Sequence, residues 1–89
     1  MPARMIMEII EINEKIKVAA VFDGAHVAPK WFVWGRQKRV VKTVEHTWRA
    51  RQGEAALLFF SVTDGANVYE LRLNQKTLEW TLEKVYAEG

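Results

Sequence analysis

Few side chains in this sequence of 89 residues have the type and spacing that chemistry needs. His26 and His46 are its two histidines, and neither sits in the HxH or HExxH spacing that would build a metal site. Asp23 and Asp64 each precede a glycine, which is the signature of a turn rather than of a general acid or base. Ser61 is the only serine, and it lies in an apolar run without the G-x-S-x-G surroundings of a nucleophile. No glycine-rich phosphate loop occurs. With no cysteine there can be no disulfide, no thiolate nucleophile and no cysteine-held zinc or iron–sulfur centre. The expectation is a non-enzymatic domain without cofactor or metal.

Charge and aromatic character are instead gathered in one place. Residues 29–51, PKWFVWGRQKRVVKTVEHTWRAR, hold Trp31, Phe32, Trp34 and Trp48 together with seven cations and one acid, Glu45. The other 66 residues carry six cations and ten acids. Such a separation points to a partner with an anionic surface. Arginine and lysine can neutralise phosphates while an exposed indole stacks on an unpaired base. The residues assigned to that role are Lys30, Trp31, Trp34, Arg36, Lys38, Arg39, Arg49 and Arg51. The expected partner is single- or double-stranded nucleic acid, with an acidic protein surface as the alternative. A plainer reading competes: the tryptophans fill a small core, and the cations pair with Glu8, Glu54, Glu70 or Glu83 on neighbouring strands. Trp48 and Trp80 are the indoles expected in the core.

The elements that must position these residues read as β-strands. Residues 5–13 and Ile16–Phe22 are expected as two strands around a turn at Asn13–Lys15; in the second, Ile16, Val18, Ala20 and Phe22 share a face and Lys17 points the other way. Pro29 is expected at the start of the strand Lys30–Trp34, where a missing N–H costs least. Gly35–Lys38 is expected as a hairpin connection. Residues 39–50 fit a strand or a short helix, and the β-branched content favours the strand. Ala55–Thr63, Val68–Leu73 and Leu78–Tyr86 follow as three strands joined by short loops. Tyr69, Leu71 and Leu73 face inward, as do Leu78, Trp80 and Leu82.

The fold expected is therefore all-β: one domain, an antiparallel meander of six to seven strands, strongly curved or closed into a small barrel. The alternative is α+β with a short helix near residues 40–50. Residues 1–4 and 87–89 are expected to fray. A chain this short buries only about two-thirds of the surface it exposes when unfolded, so its stability margin is thin. The N-terminal residues are broken by Glu8, Glu11 and Glu14 and do not read as a signal peptide, and no apolar run approaches the roughly 20 residues of a membrane span. The compartment expected is the cytoplasm.

One further pattern runs through the chain: Pro29, Phe32 and Trp34 with Gly35-Arg36, then Trp48-Arg49, Asp64-Gly65, Tyr69-Glu70-Leu71-Arg72, and finally Trp80, Leu82-Glu83 and Val85-Tyr86. It resembles an uncharacterised family of short bacterial domains with the outline P-x-x-F-x-W-x-G-R…W-R…Y-E-L-R…W-x-L-E-x-V-Y. Here Gly35 follows Trp34 one residue sooner than in that outline. The resemblance covers residues 16–86 and implies no activity. It does imply a setting near proteins of translesion DNA synthesis, and so a nucleic acid or a repair assembly.

Overall fold

The computed structural model describes residues 7–88. They form seven strands: β1 (Met7–Asp23), β2 (His26–Trp34), β3 (Gln37–Val40), β4 (Thr43–Gln52), β5 (Ala55–Thr63), β6 (Val68–Asn74) and β7 (Trp80–Glu88). Every pairing is antiparallel, in the order β3-β2-β1-β7-β6-β5-β4. The all-β meander is as expected, and residues 40–50 contain no helix: β3 ends at Val40 and β4 begins at Thr43. Among the described residues there is no helix anywhere, and so none long and apolar enough to cross a membrane.

Two strands change neighbours partway along, and this is what rolls the sheet. β1 bonds to β7 through residue 16 and to β2 from Lys17 onward. β3 runs on into β4 through Val41 and Lys42, whose N–H groups donate to Lys30 on β2 and to Thr63 on β5 respectively (2.9 and 2.8 Å). β3 and β4 remain the two unpaired edges, so the sheet is not closed into a barrel. The two exchanges nonetheless fold β1–β2–β3 over β7–β6–β5, until the Phe32 ring on β2 meets the Tyr69 ring on β6 edge-on at 5.0 Å. Register shifts in β1–β2, β1–β7, β4–β5 and β6–β7 supply the local bends that such curvature needs.

Alternation decides what is enclosed. On β5 and β6, Leu58, Phe60, Val62, Tyr69, Leu71 and Leu73 are all buried, joined by Phe32, Trp80, Leu82 and Val85. The core is therefore the inner face of the rolled sheet, and Trp80 belongs to it as expected.

Several expectations need correction. Asn13 does not turn the chain. It takes a left-handed backbone (φ 53°), which asparagine tolerates, and kinks β1 between Glu11 and Glu14 without releasing β7. One such residue swings a strand; reversal needs a closed loop. Pro29 is inside β2, fully buried, and sits at the β1–β2 register shift where no ladder N–H is required of it. Leu78 lies in the β6–β7 loop with φ 65° and is exposed, because the loop is closed by Leu78 N–H donating to the Asn74 carbonyl (2.7 Å). Trp48 is half-buried on the outer face of the sheet, stacked on Phe59 at 5.2 Å, and is not in the core. Of the residues expected to fray, Ala87 and Glu88 are the last two of β7, and residues 1–4 and Gly89 lie outside the described residues.

Candidate nucleic-acid interface

The expected hairpin exists, with β2 and β3 joined by the two residues Gly35 and Arg36. Both take left-handed backbones (φ 60° and 65°), the pairing whose twist matches that of flanking strands. Glycine does this freely, and Arg36 adopts it at some cost, so the turn lifts an exposed guanidinium to the hairpin tip. Cross-strand partners share a face, and the register therefore sorts the hairpin's side chains into two sets.

The outward set consists of Trp31, Val33, Lys38 and Val40, continued by Lys17 and Ala19 on β1. Lys17 and Lys38 flank Val33 in one row; Ala19 and Val40 flank Trp31 in the next. Lys38 Nζ lies 4.7 Å from the centre of the half-buried Trp31 ring. Lys30 is exposed beside Trp31, and Val40 is exposed as well. This face thus joins a flat aromatic surface to two lysines, Lys17 and Lys38, with the exposed Lys30 next to Trp31 in the chain.

The inward set is different in kind. Arg39 faces the same way as Phe32, and its guanidinium lies 4.8 Å from the Trp34 ring and 5.7 Å from the Tyr69 ring. It donates to the Tyr69 hydroxyl (3.2 Å) and to Gln37 (3.2 Å). The Trp34 indole N–H donates to Glu14 (2.8 Å) and the Tyr69 hydroxyl donates to Asp64 (2.8 Å). Asp64 also accepts from the backbone N–H groups of Ala66 and Asn67, which makes it the organiser of the β5–β6 loop, as its Asp-Gly setting indicates. Partial burial pushes its carboxyl up, but those two N–H bonds and the tyrosine hydroxyl outweigh burial and hold it below the usual range. Burial, reinforced by the bond to Asp64, pushes the Tyr69 phenol up. Trp34 and Arg39 therefore tie the hairpin to β6, and their surfaces are engaged within the protein.

Arg49 and Arg51 do not join either set. They lie on β4 opposite Leu58 and Ala56, beside a cleft of about 400 Å³ that Gln75 also lines. Arg39 meets β6 at Tyr69, near its start, whereas Gln75 follows the end of β6. Six residues of strand separate those levels, about 20 Å at the usual rise. The sequence places the two groups close along the chain, but β3 and β4 point the same way, so the strand carries them apart. The expected single patch of Arg36, Lys38, Arg39, Arg49 and Arg51 is thus divided.

The ion pairs answer the plainer reading of the cations. Those among the described residues are Lys15–Glu79, Arg72–Glu83, Lys76–Glu54 and Lys84–Glu11. None involves a cation of residues 29–51. Four of the cations outside that stretch have carboxylate partners, and the seven inside it have none within the described residues. Lys17 was not assigned to the interface from sequence. Strand alternation placed it on the outer face, but its nearness to Lys38 depends on which strand pairs with β1. His26 and His46 belong to no group of three or more potential metal ligands among the described residues. The chain matches no known protein-family model, no curated protein and no solved structure.

Proposed function

We propose that this is a non-catalytic nucleic-acid-binding domain that holds single-stranded nucleic acid against the outward face of the β2–β3 hairpin. The observation that carries this reading is the pairing of Trp31 with unneutralised lysines: Lys38 over its ring, and Lys17 and Lys30 nearby. Lys38 would exchange the indole for a phosphate as a base stacks on Trp31, while Lys17 and Lys30 neutralise flanking phosphates. Arg36 at the hairpin tip extends the track. The resemblance to domains found near translesion synthesis proteins is consistent with this setting. An acidic protein surface is the second reading, favoured by the exposed Val21 and Val40, which a nucleic-acid backbone would leave uncovered.

Binding of labelled single- and double-stranded oligonucleotides across a salt series tests the proposal. Single strands should bind better, and the double reversal Lys17→Glu/Lys38→Glu should flatten the log–log salt slope by about 1.4, since each phosphate left without its lysine removes about 0.7. Its melting temperature should hardly move, since both side chains are exposed. Arg39 is omitted from the variant because it binds β3 to β6. Absence of binding at low salt, or an unchanged slope in the variant, would overturn the nucleic-acid reading in favour of the protein partner.

A further inference from the structure

The outer face of β4–β7, away from the hairpin, carries an apolar groove of about 320 Å³ lined by His46, Trp48, Ser61, Val68, Glu70 and Tyr86. Its origin can be read from the register. His46, Ser61, Glu70 and Lys84 form one cross-strand row, with Trp48 and Phe59 in the row on one side and Val68 and Tyr86 on the other. Ser61 is the small side chain in the middle, so the floor drops between two aromatic walls. Trp48 is held flat by its parallel stack on Phe59 (6° between planes), with the His46 ring 5.7 Å away.

One charged group in this groove has no use inside the fold. Glu70 is half-buried and makes neither an ion pair nor a side-chain hydrogen bond among the described residues. Lys84 lies opposite it in the register, but its ammonium leans to Glu11 at 3.9 Å. Arg72, two residues along β6, is committed to Glu83 at 3.3 Å and to Thr81 at 3.2 Å. An anchored indole, a second aromatic wall and an unpartnered carboxylate together define a ligand. It should be flat enough to lie on Trp48, cationic enough to gain from the ring face, and equipped with N–H groups to satisfy Glu70.

We infer that this groove binds a guanidinium group, the side chain of an arginine presented by a protein partner. Guanidinium is planar, carries donors and no acceptors, stacks on indole, and pairs with carboxylate through two parallel N–H bonds. An ammonium matches the charge but neither the plane nor the fork. The site is separate from the hairpin face in position and opposite to it in sign, so either can exist without the other.

The probes are N-acetyl-arginine amide, the lysine equivalent, and the citrulline equivalent, which keeps the shape and loses the charge. Each is titrated into isotope-labelled protein while the Trp48 indole N–H resonance is followed. The expected result is saturable movement of Trp48 and Tyr86 signals, with arginine favoured over lysine and at least about tenfold over citrulline, the scale of a charge-assisted contact. Glu70→Gln should erase the preference for arginine over citrulline, and Ser61→Leu should abolish binding by filling the floor while leaving every charge in place. Trp48→Phe should weaken arginine several-fold, and the same spectrum reports whether each variant is folded. The inference fails if citrulline binds as well as arginine to the parent protein. It fails also if arginine moves signals elsewhere, or moves none at about 100 mM, where a millimolar site would be saturated.

Discussion

Removing one oxygen atom, in Tyr69→Phe, should loosen the junction between the hairpin and β6. Tyr69 is fully buried, and its ring packs edge-on against Phe32 and Trp34 at 5.0 and 6.4 Å. Phenylalanine keeps those contacts and nearly all of the volume, so no sizeable cavity opens. What goes is the 2.8 Å bond donated to Asp64 and the oxygen that accepts from Arg39 at 3.2 Å and from the Asn67 amide at 3.5 Å. A hydrogen bond to a charged acceptor contributes about 1.5–3 kcal/mol net. Asp64 is only half-buried and keeps its two backbone donors, so water can reach it, and the lower end, about 1.5 kcal/mol, is expected. For a domain of this length that lowers the melting temperature by about 6–12 °C. Urea denaturation of both proteins gives the free energy, and side-chain NMR titration gives the Asp64 pKa, which should move up toward its ordinary value in the variant. A loss below about 0.5 kcal/mol with an unmoved Asp64 titration would refute the reasoning, since typical hydrogen bonds contribute at least that much. Ring packing alone would then hold the junction.

Two further outcomes follow from the same structure. Trp80→Ala should cost about 3–5 kcal/mol by emptying a site against Phe60, whose ring is 5.5 Å away; a melting temperature equal to the parent's would place the core elsewhere. Stability should decline on the acid side, because the folded Asp64 carboxyl titrates below its unfolded value of about 3.9. Its contribution is complete above that unfolded value and disappears as pH falls through the lower folded value. Asp64→Asn should therefore flatten the acid limb of a stability–pH curve, and an unchanged limb would show that Asp64 is not its source. Glu79, held below the usual range by its bond to exposed Lys15, adds a component in the same direction that salt should screen.

Much of the fold was legible in the order of residues, because alternation and turn chemistry are local properties. The limits of β5 match the apolar run Ala55–Thr63, and Tyr69, Leu71 and Leu73 are inward as their spacing predicts. Asp64 and Gly65 make their loop through bonds reaching no further than a few residues. Gly35-Arg36 likewise ends β2 where expected. The unusual charge of residues 29–51 is visible without any structure.

What could not be read was anything that depends on a partner strand distant in sequence. Trp31, Trp34 and Trp48 are chemically alike, yet one faces outward beneath Lys38, one bonds Glu14 and shelters Arg39, and one lies on Phe59 across the sheet. Parity along a strand says that two residues share a face; it cannot say which face is covered until the sheet has rolled. The arginines show the same limit. Arg39 and Arg49 sit in one basic stretch, but β3 continues into β4 instead of returning beside it, and the exchange at Val41–Lys42 is made by bonds to β2 and β5 that no local pattern encodes. The Glu70 groove was likewise hidden. It exists because four strands align His46, Ser61, Glu70 and Lys84 in one row, and a row across a sheet is a property of the assembled pairings rather than of any one strand.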